Sequence, residues 1–126
     1  MTAPRILLVD GDPAVRASVE FMLDVAGFCV RGTASAEAVL ADGDAAGFDC
    51  IIVDYRLPGM DGLSLLRQLR SEGVGCPAIV IATNPPRRLR RALEEAGVHL
   101  IEKPLLSDRL RTVVEALTAR GKAPTS

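Results

Sequence analysis

Asp49-Cys50-Ile51-Ile52-Val53-Asp54 places four apolar residues between two acids, and after Tyr55-Arg56 the chain continues as Leu57-Pro58-Gly59-Met60-Asp61-Gly62. Successive strand residues point to opposite faces, so an unbroken apolar run needs cover on both sides. The first stretch therefore predicts a central strand of a sheet with helices on either face, and the second, by its Pro and Gly content, the loop that follows. Runs of the same kind recur at Arg5–Asp10, Phe28–Gly32, Pro77–Ala82 and Val98–Glu102.

The intervening segments carry a helical period instead. Asp12-Pro13 is a helix start, with Asp12 as N-cap and Pro13 in the first helical position. Val15, Val19, Met22, Leu23 and Ala26 follow at helical spacing, and Gly27 closes the helix. Ser35 opens a second helix with Ala36, Val39 and Leu40 inward, ending loosely across Gly43-Asp44 and Gly47. Leu63, Leu66, Leu69 and Arg70 carry a third that ends near Gly73. Beyond Pro85-Pro86, Leu89, Ala92, Leu93 and Ala96 mark a fourth. Ser107 caps a last one bearing Leu110, Val113, Val114 and Leu117.

Strand and helix alternate five times, and crossovers of this length make the strands parallel and the connections right-handed. The expected fold is a doubly wound α/β domain, (βα)5, with the flavodoxin-like strand order 2-1-3-4-5. It occupies residues 1–120, with residues 121–126 as a polar tail or linker stub.

A chain of 126 residues, 48% hydrophobic and 25% charged with a formal net charge of −1, suits one folded domain and carries no charge excess directed at nucleic acid. No apolar run approaches the roughly 18 residues of a membrane span, and the N-terminus lacks a secretory pattern. A cytoplasmic location is expected. Cys29, Cys50 and Cys76 are spaced for neither a CxxC pair nor a metal site, and are read as reduced, buried thiols. A single histidine, His99, gives little support to a catalytic triad or a His-based metal site.

Ligands of an open parallel sheet bind beyond the C-terminal strand ends. Asp10, Asp54, Thr83 and Lys103 end strands one, three, four and five. Crowded carboxylates hold a hard cation such as Mg2+, a lysine and a hydroxyl grip phosphate oxygens, and an exposed carboxylate in that setting can be a phosphoryl-transfer nucleophile. Leu8-Val9-Asp10, Val53-Asp54-Tyr55-Arg56-Leu57-Pro58-Gly59-Met60-Asp61-Gly62, Ala82-Thr83 and Glu102-Lys103-Pro104 together resemble the receiver domains of bacterial two-component response regulators, over about residues 5–120. The resemblance implies a phosphoacceptor protein rather than an enzyme, with Asp54 receiving a phosphoryl group from a histidine kinase or phosphotransfer protein. It implies Mg2+ held by Asp10, Asp54 and the backbone carbonyl of Arg56, and phosphoryl oxygens bound by Thr83 and Lys103. The resemblance also implies an output by contact with a downstream protein through the face of the fourth helix, fifth strand and fifth helix. A homodimer through that face is compatible with the sequence and not decided by it.

Three positions depart from the family. Gly11 stands where a second acid is usual, which weakens Mg2+ binding unless Asp12 compensates; Asp12 also reads as an N-cap. Leu100 replaces the usual aromatic of the conformational relay. Asn84 follows Thr83 where a small residue is common, and is either a gate at the phosphoryl site or a turn residue before Pro85. Arg87, Arg88, Arg90 and Arg91 open the fourth helix, as a solvated face or as a docking surface for an acidic partner. Two alternatives stay open: a receiver-like module that signals without phosphate or with weak phosphorylation, and a small Mg2+-dependent phosphohydrolase, for which neither a second general acid near Asp54 nor a glycine-rich phosphate loop after strand one is visible.

Overall fold

The computed structural model describes residues 3–105 and 108–121. The elements in order are β1 (Arg5–Val9), α1 (Pro13–Val25), β2 (Cys29–Thr33), α2 (Ala36–Asp42), a 3-10 turn (Ala45–Gly47), β3 (Cys50–Asp54), α3 (Gly62–Ser71), β4 (Ala78–Ala82), α4 (Arg87–Glu95), β5 (His99–Glu102) and α5 (Arg109–Gly121). All strand pairs are parallel and the order is β2-β1-β3-β4-β5, as expected.

The two-residue period of the strands divides the core in two. Leu7, Val9, Ile51, Val53, Ala78 and Val80 face α2, α3 and α4, where they meet Val39, Leu65, Leu66, Leu69, Leu89 and Leu93. Ile6, Leu8, Cys50, Ile52, Ile79 and Ile81 face α1 and α5, where they meet Val19, Leu23, Leu110, Val114 and Leu117. Both faces of β1, β3 and β4 are thus covered, which is why those strands have no polar alternation.

Side chains satisfy the free amides at three helix starts. Asp12 accepts from the Ala14 amide at 2.9 Å and Ser35 from Ala38 at 3.1 Å, both as expected. Asp61, grouped with the loop on composition, caps α3 by accepting from Ser64 at 2.7 Å. The proposed cap Ser107 lies outside the described residues, as do residues 122–126 of the tail, whereas the α5 backbone runs through Gly121. The loose end of α2 is built around Phe48, whose ring lies 4.6 Å from the Arg5 guanidinium and 5.3 Å from that of Arg31. Arg31 also pairs with Asp42 and Asp44.

The thiols need one correction. Cys50 is buried and Cys76 half-buried, but Cys29 is exposed, because it opens the edge strand β2, which has a neighbour on one side only. Leu65, which the helical pattern had passed over, is fully buried. Among the described residues no helix is long and apolar enough to cross a membrane.

The faces of α1 differ enough to test the packing. Leu23 is 0% exposed and Phe21 72%. Leu23→Ala will lower unfolding stability by about 2–5 kcal/mol, and Phe21→Ser will change it by about 0.5 kcal/mol or less. Urea titrations followed by circular dichroism measure both.

Candidate functional site

The chain reaches the site by simple continuation of its strands. Val9 pairs with Val53, so Asp10 and Asp54 stand on adjacent strand ends one step further on. Ala82 pairs with Glu102, so Thr83 and Lys103 leave the sheet together. The Lys103 amide donates to the Ala82 carbonyl at 2.9 Å and fixes that exit. Since β2 lies on one side of β1 and β3 on the other, the crevice opens at the switch point between β1 and β3.

Lys103 draws the acids together. Its Nζ donates to Asp54 Oδ2 at 3.0 Å and stands 3.8 Å from Asp10 Oδ2. The other oxygens are held by the backbone: Asp54 Oδ1 accepts from the Arg56 amide at 3.3 Å, and Asp10 Oδ1 from the Asp12 amide at 2.9 Å. Among the described residues Asp10 Oδ2 is buried with no hydrogen-bond partner. A buried carboxylate oxygen without a hydrogen bond, beside a second carboxylate, is the kind of group a hard cation satisfies.

Burial pushes the Asp10 carboxyl above the usual carboxylate range. The Asp12 amide opposes that rise, the Asp54 charge adds to it and the Lys103 charge offsets part of it. For Lys103, burial alone would favour the neutral amine. The hydrogen bond to Asp54 and the charges of Asp54 and Asp10 outweigh it and hold the ammonium above its ordinary range.

Of the residues proposed on sequence, Asp10, Asp54 and Lys103 meet directly. Thr83 is exposed and, with Asn84, Arg56 and Lys103, lines a cavity of about 110 Å³ beside Asp54. Liquid water occupies about 30 Å³ per molecule, so the cavity has room for a tetrahedral oxyanion. Asn84 adopts φ 47°, a left-handed turn conformation that asparagine tolerates. Asp12 is exposed and its Oδ1 is engaged in the cap. Among the described residues no group of three or more His, Cys, Asp or Glu side chains is placed to hold a metal ion.

Two contributors were not singled out from the sequence. Arg16 donates to the Asp10 carbonyl at 2.7 Å from the first turn of α1 and pins the strand end. Gly62 comes so close to β3 that a Cβ there would lie 2.6 Å from the Asp54 carbonyl oxygen. The Asp61-Gly62 pair is therefore a cap followed by a contact that only glycine allows.

The Asp10 shift fixes a pH dependence. A group whose folded pKa is raised binds its proton more tightly in the folded chain, so its contribution favours folding at low pH and is lost as pH rises through the folded value. Asp10→Asn will therefore raise the urea midpoint at pH 7 in the presence of a chelator. The gain over wild type will shrink as the pH falls into the carboxylate range.

The comparisons agree with this geometry. The response regulator receiver domain profile matches residues 6–115. The transcriptional regulatory protein FixJ of Bradyrhizobium diazoefficiens is 33% identical over 116 residues, covering 91% of this chain and 57% of FixJ. The transcriptional regulatory protein PrrA of Mycobacterium tuberculosis is 31% identical, over 100% of this chain and 55% of PrrA. The chain thus spans about half the length of these curated relatives. Among solved structures, FixJ-N superposes with TM-score 0.80 at 32% identity, covering 94% of this chain and 95% of that one. A CheY-like receiver domain from Methanospirillum hungatei superposes with TM-score 0.86 at 25% identity, covering 96% and 98%. Sheet order, strand-end chemistry and sequence similarity agree that the chain belongs to the response regulator receiver domain family of two-component systems.

Proposed function

We propose that Asp54 is a phosphoacceptor, taking a phosphoryl group from the phosphohistidine of a histidine kinase or phosphotransfer protein. The observation that carries this reading is the 3.0 Å contact from Lys103 Nζ to Asp54 Oδ2 at the edge of a cavity of about 110 Å³. An Asp54 carboxylate oxygen attacks phosphorus in line, the P–O bond forms, and the P–N bond to the donor imidazole breaks. Such a transfer is governed by positioning and by compensation of charge on the phosphoryl oxygens. Lys103 supplies a fixed positive charge, and Thr83 lines the cavity with a hydroxyl that can donate to one of those oxygens.

Mg2+ fits this crevice, though with few ligands. Asp10, Asp54 and the Arg56 carbonyl would hold it, with waters completing the shell, and it would supply further compensation of charge on the transferring oxygens. With Oδ1 of Asp12 committed to capping α1, the N-cap role is the better supported one for that residue.

Phosphorylation changes the charge at Asp54 by about one unit. That change reaches the output face through the segment Thr83-Asn84-Pro85-Pro86, which leads directly into α4. The Arg90–Glu102 pair at 2.6 Å ties α4 to β5. In this reading α4, β5 and α5 present the downstream protein with two arrangements whose populations depend on the phosphoryl group. A second reading, a receiver-like module that signals without phosphate, draws support from the pair of carboxylates and from Gly11.

A titration with Mg2+ and beryllofluoride separates the two. Saturable binding that is lost in Asp54→Ala is the expected result, and no binding by the wild type favours the second reading. A Cβ on Gly11 would have nothing closer than 3.7 Å, so Gly11→Asp is sterically open. It will tighten Mg2+ binding by roughly ten-fold or more, the scale at which neighbours of a metal shell act. Isothermal calorimetry measures it.

A further inference from the structure

The turn from β1 into α1 delivers Asp10 to the crevice, and the residue that follows is Gly11. Glycine has more backbone freedom than any other residue, so a turn through Gly11 keeps one geometry only where hydrogen bonds impose it. The Asp10 amide donates to the Thr33 carbonyl at 3.0 Å, and the Arg16 amide to the Asp12 carbonyl at 3.0 Å. The Asp12 amide donates to Asp10 Oδ1 at 2.9 Å. Between these points lies the peptide from Asp10 to Gly11. It is held through its carbonyl, which accepts from Arg16 Nη1 at 2.7 Å.

That peptide decides where the free oxygen of Asp10 points. Rotating it moves the Asp12 amide, and Oδ1 follows the amide to which it is bonded. Oδ2 then leaves its place 3.8 Å from Lys103 Nζ. Arg16 reaches the carbonyl by lying across β2, where Gly32 leaves room for it. A Cβ on Gly32 would collide with the Glu20 carboxylate and stand 3.5 Å from Arg16 Cδ. Arg16 and Glu20 are one turn apart on α1, so their stems share the space above that glycine. A branched side chain at position 32 fills this space and lifts the Arg16 stem from its path.

We propose that Arg16 is a positioning residue for the cation crevice, holding the Asp10–Gly11 peptide so that Asp10 Oδ2 is preset for a bound cation. The proposal rests on the reading of this crevice as a Mg2+ site. Mg2+ demands near-ideal octahedral geometry, whereas Ca2+ tolerates a flexible shell. A misplaced Asp10 therefore costs Mg2+ more than Ca2+. The guanidinium acting merely as a charge has the opposite sign, because it repels a divalent cation and its removal tightens binding.

Isothermal calorimetry with MgCl2 and with CaCl2 separates these effects. Arg16→Met keeps the length of the stem and removes charge and donors. It is expected to weaken Mg2+ binding about ten-fold, the scale at which neighbours of a metal shell act, and Ca2+ binding by about two-fold or less. Arg16→Lys keeps the charge and a donor and should lie closer to wild type. Gly32→Val leaves Arg16 and every crevice side chain unchanged and should weaken Mg2+ binding in the same way. Circular dichroism checks that each variant is folded. Mg2+ binding by Arg16→Met that equals or exceeds wild type, an equal loss for both cations, or wild-type Mg2+ affinity in Gly32→Val overturns the proposal. A wild type that binds no Mg2+ overturns it together with the metal reading, whereas the other outcomes leave that reading standing.

Discussion

The site depends on one ammonium group serving two carboxylates. Asp10 is 1% exposed and, among the described residues, keeps one oxygen without a hydrogen bond, an arrangement that is costly in a weakly polar interior. Lys103 makes it tolerable from 3.8 Å while hydrogen bonding to Asp54 at 3.0 Å. Everything upstream serves to bring these side chains together. Parallel pairing of β1 with β3 sets the two acids side by side, and pairing of β4 with β5 delivers Lys103 from two strands away. A slip of one residue in either register would turn these side chains to the other face of the sheet.

Much of this was legible in the sequence because the same physics writes both. Strands covered on two faces must be apolar throughout, so β1, β3 and β4 announced themselves, and their first polar residues marked the crevice. The N-caps Asp12 and Ser35 were readable because the residue type and its place before a periodic segment coincide. Asp61 was harder to see, because a Pro- and Gly-rich neighbourhood hid a cap inside a loop. Arg16 gave no local signal: its target is a backbone carbonyl six residues earlier, brought within reach only by the fold. Cys29 was misread because residue type reports average burial, whereas exposure at β2 follows from its place at the sheet edge, which only the assembled strand order reveals.

The helices show how local rules and function diverge. At its start α1 obeys the local rules, with an acidic cap, Pro in the first turn and its buried leucine on the sheet side. α4 breaks them, with arginines at its start, glutamates at its end and no side-chain cap. Natural sequences tend to violate local preference where a surface has another task. The two helices also differ in position. α4 begins four residues after Thr83, and its Leu89 lines the cavity beside Asp54.

Gly11 gives the crevice its particular electrostatic balance. Two carboxylates and one ammonium leave the cluster of Asp10, Asp54 and Lys103 at a net charge of −1 when all three are ionised. A further acid at position 11 would double that negative charge and attract a divalent cation more strongly. It would also raise the cost of the buried Asp10 carboxylate, whose protonated form burial already favours. With glycine there, Lys103 offsets one of the two negative charges of the ionised pair.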